Sequence, residues 1–278
     1  MPDTVITTAD TGLGTTYERW ALSRFLETLP PLAEVLEGPD DGMTGICGLN
    51  SLPLGRRGAN VTLWLPERPA EAAFARSVWK RYAPQDALRV DTAPLEFPFP
   101  YQDSAFDLVW NFNVMPRLPD PEVALREMAR CSRRFVLVFV PNRRNYGFPL
   151  HRLHHRVAGE PWEHGDAAWM HPAPWKRLFE QTGLRKVRAF HVDCPWWPDI
   201  VNPAELLADF LPPLRHRLRA AEPEQRARWE ADSLPYYDPQ AYPEIHRRME
   251  RLAFFERLPF ILQIPFAHHI GILGEKRL

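Results

Sequence analysis

The chain has 278 residues, a hydrophobic share of 45%, a charged share of 25% and a formal net charge of −1. These values are typical of a globular protein with one large domain, and the near-neutral charge gives no basic field that would favour nucleic acid as a partner. The longest apolar runs, such as FVLVFV at 135–140, are too short for a membrane span, and no secretory signal is visible, so we expect a cytoplasmic protein.

The positions of the cysteines and prolines exclude further classes of protein. Cys47, Cys131 and Cys194 are widely spaced and form no CxxC pair, which argues against a disulfide framework or a cysteine zinc site. The chain also contains 30 Pro and 10 Trp, and the prolines lie throughout its length. This distribution predicts a loop-rich protein rather than one with a disordered tail.

The first half of the chain predicts helices and strands in alternation. A helix is expected over 15–29, where apolar residues form one broad face and two prolines follow. Further helices are predicted at 69–82 and 120–130, and buried strands are predicted at 43–47, 60–65, 87–90, 105–112 and 135–140. Strands and helices at this spacing predict βαβ units and an open parallel sheet.

The pattern changes after Pro141. Residues 142–172 carry histidines, tryptophans and glycines and are predicted to form a lid loop. The remaining elements are a helix at 172–182, a strand at 184–192, two or three helices within 203–258 and a terminal strand at 268–276. The basic groups within 203–258 alternate with acids, which is typical of a solvated helix face.

The segment 94–146 carries a distinctive succession of motifs. It reads FPFPYQDSAFDLVW, then RLPDPEVALREMAR, then a strand that ends in VPN. This order resembles the centre of the class I S-adenosylmethionine-dependent methyltransferases of type 11. The resemblance implies an α/β fold, Rossmann-like, with a mostly parallel seven-stranded sheet, a C-terminal antiparallel hairpin and a helical insertion.

The resemblance also divides the chain. It implies an N-terminal helical cap at 1–36 and a Rossmann-like core at 37–198 that includes the lid loop at about 142–172. A helical insertion follows at 199–260, and the final strand of the core lies within 261–278.

S-adenosylmethionine is the cofactor that the resemblance implies. The family's D-x-G-x-G-x-G motif fits the register TGICGLN at 44–50, in which Thr44 replaces the acid, Ile46 the first glycine and Asn50 the last. Leu65 stands where the family has an acid for the ribose, with Glu67 two residues later. The expected cofactor-binding residues are Cys47, Gly48, Asn50, Glu67, Asp91, Thr92, Asn111 and Phe112.

The acceptor is expected above the fourth and fifth strands. A small-molecule or lipid-like methyl acceptor is the implied substrate, and a homodimer or a protein partner is an open expectation. The expected acceptor-binding residues are Tyr17, Asn113, Met115, Asn142, Tyr146, His151 and His155. Turn capping is an equal alternative for the two asparagines 111 and 113, and core packing is the alternative for Tyr17.

The lid histidines allow several interpretations. His151 and His155 are four residues apart, so a helix would place them on one face as a metal pair. No neighbouring cysteine or carboxylate completes a ligand set, and we therefore expect no metal. One lid histidine could instead act as a general base, or all of them could be ordinary surface residues.

Two further functions compete with methyl transfer. The losses at Thr44, Ile46, Asn50 and Leu65 favour the alternative of a catalytically inactive methyltransferase-like protein that acts as a binding or assembly partner. A nicotinamide-dependent oxidoreductase is the weaker alternative, because the G-x-G-x-x-G that it needs is absent from GICGLN.

Overall fold

The computed structural model describes residues 10–11, 13–42, 47–84, 86–159, 161–198, 228–229 and 234–276. Within these residues the main sheet has seven strands. They are β1 (Glu34–Glu37), β2 (Asn60–Trp64), β3 (Leu88–Asp91), β4 (Phe106–Phe112), β5 (Ser132–Pro141), β6 (Arg185–Val192) and β7 (His269–Glu275). Their order is β3-β2-β1-β4-β5-β7-β6.

The first five strands run parallel, whereas β7 is antiparallel to both β5 and β6. Because β7 runs the opposite way, its first residue, His269, lies beside Pro141 and Val192 at the carboxyl edge of the sheet. The chain order reverses between β1 and β4, and in open α/β sheets ligands bind at such a switch point. The predicted fold class, including the antiparallel hairpin, is confirmed.

The described helices flank this sheet. They are α1 (Leu13–Glu27), α2 (Leu52–Arg56), α3 (Pro69–Tyr82), α4 (Pro121–Cys131), α5 (Phe148–Ala158), α6 (Pro172–Gln181), α7 (Pro243–Leu252) and α8 (Phe260–Gln263). Proline opens four of them, where its missing N–H is harmless. Asp120 caps α4 by accepting a hydrogen bond from the Val123 amide at 3.0 Å.

The core has two layers, one on each face of the sheet. Alternate residues of the central strands divide between them, so Trp110 and Phe139 pack on the side of α1 while Val109 and Val138 pack on the side of α4 and α6. All four side chains are fully buried. The prediction that β5 is a central strand buried on both faces is correct.

One strand of the sheet was not predicted. It is Glu34–Glu37, which precedes the strand expected at 43–47. Residues 43–46 lie outside the described residues, and Cys47 lies in a turn. The EVLE stretch has only two apolar residues and offers a weak strand signal, but β2 and β4 cover it on both sides.

Two other segments differ from the prediction. The lid region contains the eleven-residue helix α5. Arg228–Trp229 forms a short antiparallel ladder with Asp10–Thr11, where a helix over EPEQRARWEADSL was expected. The predicted helix PAELLADFL lies outside the described residues. None of the described helices has the length and apolar character that a membrane crossing needs.

Asp107 ties three central strands together. Its carboxylate accepts hydrogen bonds from the amides of Ala33 and Glu34 at 2.7 and 3.0 Å, and from Arg133 Nε at 2.6 Å. The Arg133 hydrogen bond and the two amides lower the pKa of Asp107 to about 2. The ionised carboxylate therefore fastens β1 and β5 to β4.

Asp107→Asn should lower the free energy of unfolding by about 2 kcal/mol at pH 7, because the unfolded carboxyl has a pKa near 4. This contribution is complete above pH 4 and is lost as the pH falls through about 4 towards 2, so urea unfolding should show a smaller difference at pH 3. Asp103→Asn is the control, since that carboxylate is 76% exposed and pairs only with Arg130 among the ion pairs of the described residues. An equal loss in both variants would contradict this role of Asp107.

Candidate functional site

Arg19 of α1 is buried at the carboxyl edge of the sheet. Its side chain has no exposed surface, and its guanidinium donates a hydrogen bond to Asn50 Oδ1. Burial raises the pKa of two nearby carboxyls, Glu37 at the end of β1 and Asp40 in the following loop, and the charge of Arg19 partly offsets this increase. A cation and two acids are therefore buried together where the strand order reverses.

Burial dominates the titration of these two acids. It raises the pKa of Glu37 to about 8, with a further increase from the neighbouring Asp40, although Glu37 accepts a hydrogen bond from the Ser51 amide at 3.1 Å. Burial also raises the pKa of Asp40, which accepts from the Gly42 amide at 2.8 Å. Two carboxyls with raised pKa at a switch point are typical of a functional site.

An acid and a glycine stand at the carboxyl end of β1. The strand ends at Glu37, and Gly38 follows it with φ +152°. A Cβ on Gly38 would lie 2.8 Å from the Cβ of Trp64, so only glycine fits there. The predicted register TGICGLN stays a prediction, because Thr44 and Ile46 lie outside the described residues.

Three predicted cofactor residues lie close to this motif. Cys47 is buried beside Asp40, and burial raises the pKa of its thiol. Gly48 has φ +76° and its carbonyl accepts from Trp79 Nε1 at 2.9 Å, and Asn50 receives the Arg19 hydrogen bond. The loop after β1 thus brings Cys47 and Asn50 to the buried charges.

Glu67, Asp91 and Thr92 lie together at the ends of β2 and β3. The Glu67 amide donates to the Thr92 carbonyl at 3.1 Å, and Glu67 is exposed with φ +58°. The Asp91 carboxylate accepts from the Tyr101 hydroxyl at 2.8 Å and from the Ala93 amide at 2.9 Å. Leu65 is buried, so among these residues Glu67 is the acid nearest the predicted ribose position.

Other predicted residues face the core. Asn111 is 1% exposed, and its amide lies 3.7 Å from the Met128 sulfur of α4. Phe112 packs against His269, with ring centroids 4.7 Å apart, and Met115 is fully buried in the α4-side core. Of these three residues, Phe112 is the one in contact with His269.

The second half of the site lies at the ends of β4, β6 and the start of β7. Asn113 and Asp193 each follow a strand and have φ near +60°, which Asn and Asp adopt more readily than most residues. His269 lies between these two residues. Its Nδ1 is 3.5 Å from Asn113 Nδ2, and its Nε2 is 3.6 Å from Asp193 Oδ2. Glu18 of α1 approaches the same Nε2 to 3.1 Å.

Two acceptor atoms in this cluster are unsatisfied. Within the described residues, Oδ1 of Asn113 and Oδ1 of Asp193 are buried and have no hydrogen-bond partner. A buried acceptor without a donor costs about 1–3 kcal/mol. Two such atoms around one imidazole therefore mark a place where a ligand with N–H or O–H groups would bind favourably.

Tyr17 and Glu256 border this cluster. The Tyr17 hydroxyl donates to Glu256 Oε1 at 3.1 Å, and the Cys194 amide donates to the same oxygen at 2.7 Å. Burial, together with the charge of Asp193, raises the pKa of Glu256 to about 7. Burial and the nearby acids also raise the pKa of Tyr17, which stays a neutral donor.

Asn142 and Tyr146 have their polar groups engaged by backbone. Asn142 donates to the carbonyls of Ile264 and Ala267 at 2.8 and 2.9 Å and accepts from the Arg144 amide. The Tyr146 hydroxyl donates to the Trp196 carbonyl at 2.6 Å. Their contact with an acceptor stays a prediction.

The lid histidines are joined by a third. His151 and His155 lie on one face of α5, as their spacing predicts, with 3.2 Å between their Nε2 atoms. His164 Nε2 lies 3.3 Å from His155 Nε2. The missing third ligand, which led us to expect no metal, is thus supplied by the loop after α5.

Several residues of the site were not predicted. Glu18, Arg19, Glu37, Asp40, Asp193 and His269 come from four separate parts of the chain. One signal was available, because an acid and a glycine, Glu37–Gly38, directly follow a short apolar pair. The others carry no local signal, because only β7 pairing brings His269 to Asp193.

The family comparison agrees with this geometry. The family model described as a methyltransferase domain matches residues 45–139. No curated protein matches the sequence. This match supports an S-adenosylmethionine-dependent methyltransferase domain at 45–139, with S-adenosylmethionine as its cofactor. The alternative of a catalytically inactive relative is not supported.

Many solved structures are similar to the chain. The MccD protein has a TM-score of 0.51 at 12% identity, with 95% of this chain and 97% of that chain covered. A Thermotoga maritima methyltransferase gives 0.47 at 14% identity, with coverages of 94% and 90%. The Haloferax volcanii putative methyltransferase solved with the Trm112 methyltransferase activator has a TM-score of 0.48 at 16% identity. The comparison covers 94% of this chain and 91% of that chain. At these identities MccD supports the fold alone.

The residues at the sheet edge fit the cofactor. Gly38 allows backbone to approach closely, and the buried acids Glu37 and Asp40 can receive an ammonium group. Arg19 can receive a carboxylate, and the unsatisfied Asn113 Oδ1 lies towards the acceptor side. The chain therefore presents charges of both signs to an amino-acid moiety.

Glu37→Gln should make the cofactor-free protein more stable at pH 8 than the wild type, by roughly 1–3 kcal/mol. The folded state keeps the Glu37 proton up to about pH 8, whereas the unfolded chain releases it near pH 4.5. Wild-type stability therefore falls as the pH rises between these values, and glutamine removes that fall.

Urea unfolding at pH 5 and pH 8 measures this effect. Glu34→Gln on the same strand is the control, because its carboxylate accepts a hydrogen bond from Asn60 at the surface and this variant, which keeps Glu37, should retain the wild-type fall in stability. A Glu37→Gln protein that keeps the wild-type fall in stability would show that another group causes it.

Proposed function

We propose that the protein transfers the methyl group of S-adenosylmethionine to a small-molecule or lipid-like acceptor that bears an amine. The observation that carries this proposal is the pair of unsatisfied buried acceptors, Asn113 Oδ1 and Asp193 Oδ1, around His269. An amine can donate to both, and the surrounding Glu18 and Glu256 add the negative field that a cation prefers.

The cofactor would lie across the ends of β1, β2 and β3. Arg19 would hold its carboxylate, Asp40 and Glu37 its ammonium group, and Glu67 its ribose hydroxyls. Asp91 and Thr92 would border the adenine, because the Glu67–Thr92 hydrogen bond joins the two loops at this point. Cys47, Asn50 and Phe112 would complete the wall.

The bound cofactor supplies an activated sulfonium methyl group, so the protein mainly has to orient the acceptor and take its proton. Asp193 Oδ1 would accept a hydrogen bond from the acceptor nitrogen, while the other carboxylate oxygen, Oδ2, lies 3.0 Å from His268 Nδ1 and 3.6 Å from His269 Nε2. Glu256, whose pKa of about 7 lies near neutrality, can then hold the released proton. Tyr17 and Cys194 fix its carboxyl by their hydrogen bonds.

Three related expectations stay predictions. The domain boundaries are proposed at 1–36, 37–198, 199–260 and 261–278, with one change: the cap ends before Glu34, because β1 belongs to the core sheet. A homodimer or a protein partner is proposed without a preferred surface. A cytoplasmic location likewise stays a prediction.

Titration calorimetry with S-adenosylmethionine tests the cofactor site. The wild type should bind, and Asp40→Asn should weaken binding by roughly tenfold to a hundredfold, because a hydrogen bond to a charged group contributes about 1.5–3 kcal/mol. The control is Glu122→Gln, an exposed acid on α4. No heat with the wild type at millimolar ligand would overturn the function, whereas an unchanged Asp40→Asn affinity would overturn only the placement.

Asp193→Asn tests the acceptor side. Asparagine tolerates the same positive φ, so the fold should persist, while kcat for an amine acceptor should fall by about 10²–10⁴ if the carboxylate takes part in proton removal. Cofactor affinity should stay unchanged in calorimetry. Asp103→Asn is the matched control, and retention of full kcat in Asp193→Asn would contradict the assignment.

A further inference from the structure

We propose that His151, His155 and His164 bind a divalent transition metal, with Zn²⁺ as the best match. The three side chains each offer one nitrogen, and these ligand atoms all lie within 4.8 Å of one another. The site lies on α5 and the loop that follows it, and it gives His151 and His155 a role in place of the acceptor contact that the sequence predicted for them. Methyl transfer does not require it.

The distances between the nitrogens suit tetrahedral coordination. A tetrahedral zinc ion with Zn–N bonds of about 2.05 Å separates its nitrogens by about 3.3 Å. The two measured separations are 3.2 Å, between Nε2 of His151 and His155, and 3.3 Å, between Nε2 of His155 and His164. Two of the three nitrogen pairs therefore already have the spacing of zinc ligands, and the third pair lies within 4.8 Å.

The orientation of His155 supports the same conclusion. Its Nδ1 lies 3.0 Å from the Pro161 carbonyl, and a carbonyl only accepts, so Nδ1 carries the hydrogen. In the neutral ring Nε2 then has one lone pair, which points at a space shared with two other Nε2 atoms. Metal-bound histidines usually donate their second nitrogen to a carbonyl or carboxylate in this way.

The surroundings of the three rings are rigid and partly apolar. The Trp162 ring packs against all three imidazoles, with centroid distances of 5.6, 5.3 and 4.7 Å to His151, His155 and His164. Its Nε1 donates to the Gly165 carbonyl at 2.8 Å. An apolar wall of this kind excludes water from one side of a metal and fixes its ligands.

Gly165 anchors the His164 loop to the core. It has φ +93°, and a Cβ there would lie 2.3 Å from the Pro116 carbonyl oxygen, so only glycine fits. The next residue, Asp166, donates its amide to the same carbonyl at 2.8 Å. His164 is thus held against α5 by the backbone before any metal binds.

Three protein ligands leave the fourth position of a tetrahedral ion open. His155 and His164 are partly exposed, so water or a small anion can occupy that position. The metal would connect α5 to the loop at 161–165, and that loop contacts Pro116, three residues after Asn113. We infer a site that fastens the lid to the sheet edge.

Cobalt binding tests the proposal without any activity measurement. The chelator-treated full chain is titrated with Co²⁺, and one equivalent should give the visible spectrum of a tetrahedral ion, which Zn²⁺ then displaces. His151→Gln, His155→Gln and His164→Gln should each weaken binding by about a hundredfold. His154→Gln is the matched control, because it lies on the same helix outside the three converging nitrogens and should bind like the wild type.

A variant that gains a spectroscopic signal distinguishes loss of a ligand from misfolding. His164→Cys should keep one equivalent of Co²⁺ and add a thiolate charge-transfer band, since a thiolate is also a good ligand. Zn²⁺ should raise the Tm of the wild type and of His154→Gln but not that of His164→Gln. Wild-type binding by His164→Gln, equal weakening by His154→Gln, or a cysteine variant without the new band would each overturn the site.

Discussion

The buried guanidinium of Arg19 is the interaction on which the sheet edge depends. A charge without exposed surface is tolerated only with partners, and Asn50, Glu37 and Asp40 provide them from the loop after β1. This arrangement fixes α1 over the switch point of the sheet. It also keeps two carboxyls in a buried environment that favours their protonated forms. A ligand with a positive charge would favour their ionised forms instead.

α1 links the two halves of the site. Arg19 faces the cofactor side, while its neighbours Tyr17 and Glu18 reach Glu256 and His269 on the acceptor side. Both sides are closed by residues from distant parts of the chain, so the N-terminal helix and the segment before β7 must dock for either to form. A cap of this kind excludes water from the edge where a methyl group would be transferred.

The histidine cluster shows how a local pattern gains meaning from tertiary contacts. Two histidines four apart on α5 are common on any helix surface, and alone they form half a ligand set. Gly165 and Trp162 bring His164 to the same point. A site with three imidazoles then differs from ordinary surface histidines in a measurable way, because the spacing of its nitrogens matches one coordination geometry.

The sequence alone determined the fold class and most elements, because β4, α4 and β5 carry strong periodicity, proline positions and a family motif within one continuous segment. It missed the strand Glu34–Glu37, since EVLE has only two apolar residues and is stabilised by its neighbours β2 and β4. The tertiary structure decided the site. Arg19, Asp193 and His269 are far apart in sequence, and their meeting depends on strand order and on the antiparallel pairing of β7, which no local pattern records.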